Sequence, residues 1–218
     1  MPARPRYILK ICGLTRAEDA FMSAALGADW LGFIFHPASP RRVAAAEVAG
    51  FETGGAKRVG VFVDQSPAEV RRLMAEARLD LAQLHGGQGP EFCREVGAER
   101  VIRVFWPQRY PRAADLEAEM AAYRDAAAYF IFDAGLSGGG HGRGLDIDSL
   151  TALSPPRPWL LAGGLTAAGA RAAAAKNPAG LAGFDFNSKV ETSPGVKDRR
   201  LVAAALSPLR GAGYAAVG

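Results

Sequence analysis

The sequence predicts a single-domain (β/α)8 TIM barrel covering residues 1–218, and three observations point there. Eight short β-branched or aromatic runs alternate with Ala-, Arg- and Glu-rich stretches of helical character from end to end. Strict alternation implies a parallel sheet, because parallel neighbours need crossover connections. A length of 218 residues, long for one core by the usual domain size, is normal for one α/β barrel. A doubly wound open sheet is the competing architecture, but it has no reason for eight even repeats.

The strands are expected at 7–12, 30–35, 58–63, 81–84, 101–105, 129–133, 159–162 and 183–187. Helices are expected between them, at 17–26, 67–77, 91–96, 116–123, 167–176 and 198–209. Thr15 precedes Glu18 at the spacing of a capping box. Ser66 stands before Pro67 and ahead of Glu69, a cap followed by a proline in the first helical position. Gly27 and Gly97 fall where helices should stop. The run Ser154-Pro155-Pro156-Arg157-Pro158 is too short for a linker and reads as a rigid loop into the seventh strand.

Composition narrows the function classes. A hydrophobic fraction of 49% and a charged fraction of 22% describe a globular chain with ample core. The net charge of +4 is spread among interleaved acidic residues, without a basic-and-aromatic stripe, so no nucleic-acid partner is expected. A mildly basic surface suits an anionic small substrate. Cys12 and Cys93 have neither metal-ligand nor disulfide spacing. No apolar run approaches the roughly 20 residues needed to span a bilayer, and the first residues lack the apolar core of a signal peptide. A cytoplasmic chain that touches no membrane, as a monomer or homodimer, is the expectation.

In a barrel the chemistry sits at the C-terminal ends of the strands. Here those ends are polar or glycine-rich: Lys10-Ile11-Cys12-Gly13 after the first strand, Pro40-Arg41-Arg42 beyond the second, Gln83-Leu84-His85-Gly86 at the fourth. Phe132-Asp133 ends the sixth, Gly163-Gly164 follows the seventh, and Asp185-Phe186-Asn187-Ser188 closes the eighth. Barrels commonly hold phosphate in the loops after strands seven and eight, on backbone N–H groups. Gly163 and Gly164 would let a backbone approach an anion, and the loop from Gly138 to Gly144, with His141 and Gly142, adds flexible backbone; the alternative is a plain turn. Cys12 and Asp133 lie well apart around the barrel, as an acid and a base on opposite sides of a substrate must. Position alone leaves Cys12 open as a small buried hydrophobe and Asp133 as a helix cap or ion-pair partner.

The motifs together are specific. Lys-Ile-Cys-Gly-Leu-Thr (10–15), Gly-Phe-Ile-Phe (32–35) with Ser-Pro-Arg (39–41), Val-Gly-Val-Phe (59–62) and Gln-Leu-His-Gly (83–86) open the series. Phe-Asp (132–133), Gly-Gly-His-Gly-Arg (139–143), Leu-Ala-Gly-Gly-Leu (161–165) and the stretch from Asp185 to Asp198 continue it. In this order the chain resembles the phosphoribosylanthranilate isomerases of tryptophan biosynthesis over roughly residues 7 to 209. The resemblance implies an Amadori rearrangement of a phosphorylated ribosyl arylamine, with Asp133 as general acid, Cys12 as general base and Arg41 on the substrate carboxylate. It also implies a phosphate site formed around Gly142, Gly163, Gly164, Asn187, Ser188 and Lys189, and neither metal nor organic cofactor.

Lys189 and His141 depart from the smaller residues usual in that family. The backbone of Lys189 can serve phosphate whether its side chain adds charge or points to solvent. Lys10, Gln83, His85 and Asp185 complete the expected site. Strand alternation turns Lys10 inward with Cys12, and closure of the barrel makes Asp185 a candidate partner. A cation there would lower the Cys12 thiol pKa. His85 either meets substrate or bonds within the barrel mouth. The competing functions are a histidine-pathway phosphoribosyl isomerase, which would use two carboxylates, and a barrel that binds a phosphate ligand without turnover.

Overall fold

A computed structural model describes residues 7–134 and 147–210. Eight parallel strands close on themselves in sequence order. They are β1 Ile8–Ile11, β2 Trp30–Ile34, β3 Lys57–Phe62, β4 Leu81–Leu84, β5 Val101–Phe105, β6 Tyr129–Asp133, β7 Trp159–Ala162 and β8 Leu181–Phe186. Closure is made by β1, which pairs with β2 on one side and β8 on the other and sets Lys10 opposite Asp185. The helices are α1 Ala17–Ala25, α2 Ala45–Ala49, α3 Pro67–Glu76, α4 Pro90–Val96, α5 Ala113–Ala122, α6 Ile147–Thr151, α7 Ala167–Lys176 and α8 Arg199–Leu206. Two of them, α2 and α6, are one-turn elements that the sequence pattern did not announce. A two-stranded hairpin, β9 Glu191–Ser193 with β10 Val196–Lys197, stands between β8 and α8 and was not foreseen either.

Period-two alternation separates two apolar layers. Leu9, Ile11, Leu31, Phe33, Phe62, Phe105, Phe130, Phe132, Phe184 and Phe186 face outward and pack under the helices. Ile8, Trp30, Val59, Leu81, Ile102, Ile131 and Leu160 face inward and plug the barrel below its mouth. The plug leaves the polar inward residues one or two steps further along each strand at the open, C-terminal end. Gly183 is a glycine because a Cβ there would stand 2.1 Å from the Ile8 carbonyl oxygen, where β8 and β1 meet.

The helix signals resolve unevenly. Ser66 accepts the N–H of Glu69 while Glu69 accepts that of Ser66, so the capping box of α3 forms. Gly27 and Gly97 take positive φ at the ends of α1 and α4, as expected of helix stops. Thr15 is a correction: α1 starts after Arg16, and the Thr15 hydroxyl instead donates to the Gly195 carbonyl at 2.8 Å, tying the β9–β10 hairpin to the first loop. Among the described residues no helix is long and apolar enough to cross a membrane.

Candidate active site

The mouth of the barrel holds a cavity of about 520 Å³, and most of the residues singled out in the sequence line it. Cys12 stands one residue past β1, with its N–H bonded to the Phe186 carbonyl at 2.8 Å. Two places earlier on the same face, the fully buried Lys10 ammonium reaches Asp185 Oδ2 at 2.7 Å. Gly32 on β2 is the floor beneath both, since a Cβ there would lie 2.7 Å from Cys12 Sγ and 3.1 Å from Lys10 Nζ. Burial pulls the Lys10 pKa down, but Asp185 and Cys12 outweigh it and leave the group above the usual lysine value. Both partners thus favour the charged form of Lys10 beside the sulfur.

The expectation for the Cys12 thiol is only half met. Burial pushes its pKa up, Lys10 and then Lys197 pull it down, Asp185 adds to the rise, and the net direction is upward. Lys10 acts in the expected sense, but desolvation of the thiolate is larger. Cys93 is the inert comparison, fully buried with its thiol pushed up to about 11, mainly by burial.

Across the mouth, Asp133 ends β6 and its Oδ2 lies 3.6 Å from His85 Nε2. The Gln83 amide meets His85 Nδ1 at 3.3 Å, and the imidazole packs edge-on against Trp106. Burial lowers the His85 pKa, and Lys10, Arg103 and Arg109 add to that against the opposing pull of Asp133. A neutral His85 facing Asp133 is the result. The His85 ring thus bonds within the mouth, one of the two readings left open by the sequence, and it also lines the cavity.

Arg41 sits on the loop after β2 and lines the cavity. Its Nε and Nη2 grip Glu191 at distances of 2.7 to 3.1 Å, a forked charge-assisted pair. Glu191 in turn accepts from Lys197 at 2.6 Å, and Lys197 also donates to Asn187 Oδ1 at 3.1 Å. Burial would raise the Glu191 carboxyl, but Arg41 and Lys197 hold it below the usual glutamate range. Neither Glu191 nor Lys197 was picked out in the sequence. The signal was present, since both lie in the stretch from Asp185 to Asp198, but nothing local marks them as turning inward. Ile34, His36, Ser39, Val61 and Val63 are further cavity walls that the strand ends alone did not reveal.

Gly163 and Gly164, with positive φ of 90° and 62°, form the third side together with Asn187 and Ser188. No side chain fits between Arg41 and Asn187, because a Cβ on Gly13 would meet each of them at 2.6 Å. The N–H groups of Gly164, Ser188 and Lys189 donate to no protein acceptor among the described residues. Lys189 itself is exposed and lines no part of the cavity. Gly142 and His141 lie outside the described residues.

The comparisons with known proteins decide the family. Residues 9–207 match the model for N-(5'-phosphoribosyl)anthranilate (PRA) isomerase. The chain belongs to this family. The N-(5'-phosphoribosyl)anthranilate isomerase of Desulfovibrio desulfuricans is 51% identical over 201 residues, covering 92% of this chain and 94% of the relative. That of Maridesulfovibrio salexigens is 48% identical over 202 residues, covering 93% and 98%. Among solved structures, phosphoribosyl anthranilate isomerase from Thermus thermophilus superposes with a TM-score of 0.76 at 36% identity, covering 92% of this chain and 97% of that one. The Thermotoga maritima enzyme gives 0.81 at 30% identity, with 94% and 99% covered. A further isomerase of the family, at 28% identity and TM-score 0.79 with the same shares covered, was solved in complex with reduced 1-(o-carboxyphenylamino)-1-deoxyribulose 5-phosphate.

Proposed function

We propose that this chain isomerises N-(5'-phosphoribosyl)anthranilate to 1-(2-carboxyphenylamino)-1-deoxyribulose 5-phosphate, the Amadori step of tryptophan biosynthesis. The observation that carries the reading is the meeting of Cys12, Asp133, Arg41 and the Gly163-Gly164 turn on one cavity, from four separate strand ends. Family membership supports the same substrate.

Asp133 protonates the ring oxygen of the ribose as the bond from that oxygen to C1' breaks, and the arylamine nitrogen lone pair forms the C1'=N bond. The resulting cationic Schiff base acidifies C2'. Cys12, as thiolate, removes the C2' proton, and the electron pair moves through C2'–C1' to quench the nitrogen charge. The C2' hydroxyl of the enolamine then gives up its proton as C1' takes one, and the C2' carbonyl of the aminoketose forms. Atoms and charge balance with proton transfers alone.

The surroundings suit each role. Lys10, locked by Asp185, offsets part of the cost of a buried thiolate. Asp133 lines the cavity with His85, whose Nε2 lies 3.6 Å from its Oδ2. Arg41 receives the anthranilate carboxylate, and the N–H groups around Gly164 and Ser188 receive the phosphate.

The test is turnover of N-(5'-phosphoribosyl)anthranilate, followed by the loss of its fluorescence. Positioned acid–base groups contribute about 10²–10⁴-fold each. Cys12→Ala and Asp133→Asn are expected to lose at least the lower figure in kcat with little change in KM. Near wild-type rates in both variants, or turnover of the histidine-pathway substrate in place of this one, would overturn the assignment.

A further inference from the structure

Arg41 is held by more protein than carboxylate binding needs. An arginine meant only to attract an anion is weakened by a carboxylate beside it, yet Glu191 occupies both Nε and Nη2. Lys197 restores what Glu191 removes: its buried ammonium bonds Glu191 Oε1 at 2.6 Å, so the trio keeps one net positive charge. Among the described residues Nη1 makes no bond to protein, and it is the donor left over for a ligand in the cavity that Arg41 lines.

Glu191 is itself a fixed point. Its hairpin is pinned to the loop after β1 by Thr15 Oγ1 on the Gly195 carbonyl at 2.8 Å, and to α1 by the Lys197 N–H on Asp19 Oδ2 at 3.0 Å. Gly195 has φ of +86°, and a Cβ there would stand 2.9 Å from Thr15 Oγ1, so the two loops meet without slack. On the far side of Arg41, the missing side chain of Gly13 lets Arg41 Cδ and Asn187 pack against the main chain.

We infer that Glu191 and Lys197 are positioning residues that set the enzyme's selectivity for an arylamine carrying an ortho carboxylate, by fixing which edge of the Arg41 guanidinium faces the cavity. The inference rests on the reading of Arg41 as the partner of that carboxylate. A guanidinium already locked on one edge loses little freedom when an anion arrives on the other. It also disfavours a substrate without the carboxylate, because the aryl ring would then cover the free edge and leave it unpaired.

Two substrates separate this role from plain structural support: N-(5'-phosphoribosyl)anthranilate and N-(5'-phosphoribosyl)aniline, which differ only in the carboxylate. Wild type is expected to prefer the first in kcat/KM. Glu191→Gln keeps the shape but releases the fork, and is expected to cut that preference about tenfold, or 1.4 kcal/mol. The loss should fall on KM for the anthranilate substrate, with its kcat and the aniline rate held. Lys197→Gln, which leaves Glu191 in place, should shift the preference in the same direction and carries the test if Glu191→Gln folds poorly. An equal loss on both substrates, or an unchanged preference, overturns the inference. Absence of any preference in wild type overturns the Arg41 reading beneath it.

Discussion

Replacing Gly32 by alanine asks how tightly the reacting sulfur is held. The added methyl would stand 2.7 Å from Cys12 Sγ, 3.0 Å from Cys12 Cα and 3.1 Å from Lys10 Nζ, where ordinary contact begins at 3.4 Å. The Cys12 main chain has no room to retreat, since its N–H is bonded to Phe186 in the adjoining strand. Lys10 is held at 2.7 Å by Asp185. The sulfur must therefore swing by roughly 1 Å, and a displacement of that size costs about 10²-fold in rate. Overpacking of a core costs about 1–3 kcal/mol, which for a chain of this size lowers Tm by about 2–4 °C per kcal/mol.

Steady-state turnover with a thermal melt separates the two effects. Gly32→Ala should lose about 10²-fold in kcat and stay folded. Its KM should remain near wild type, because Arg41 and the Gly163-Gly164 turn are untouched. A folded Gly32→Ala enzyme with wild-type kcat would refute the claim that the Cys12–Lys10 contact is geometrically critical.

Two further outcomes follow from other parts of the molecule. Lys10→Met removes the nearest cation from Cys12, so the thiol pKa should rise further and iodoacetamide labelling at a fixed pH below it should slow, about tenfold per unit of rise. Lys10→Met/Asp185→Asn should slow it too, though less, because Asp185 also raises the thiol, while sparing the fold a lone buried carboxylate. Unslowed labelling of Cys12 in both, with the buried Cys93 unlabelled throughout, would remove Lys10 from the thiolate's support. Gly97→Ala forces a φ of +115° on a residue with a side chain, at the end of α4 ahead of β5 and so away from the mouth. It should cost about 1–2 kcal/mol of stability, seen in a melt, with kcat/KM unchanged; a loss of activity without a loss of stability would contradict that separation.

The barrel and half of its site were legible in the sequence because they depend on neighbours a few residues apart. Period-two alternation turned Lys10 and Cys12 to one face, and closure of eight strands brought Asp185 to Lys10, as the register confirms. Glycine and proline punctuation marked where α3 starts and where α1 and α4 stop. Local signals failed where a polar side chain had a distant partner. Thr15 had the spacing of a helix cap, but a carbonyl 180 residues along the chain took its hydroxyl.

Sequence alone determined that a cysteine, an aspartate and an arginine would stand at strand ends around one mouth. Only the tertiary structure decided that Arg41 is gripped by Glu191, 150 residues away, and that of the two lysines in one short stretch Lys197 turns inward while Lys189 faces solvent. It also decided that burial outweighs Lys10 at the Cys12 sulfur. The physical reason is common to all three. Pattern reports which face of an element a residue occupies, whereas partner choice and desolvation depend on everything that the closed barrel packs around it.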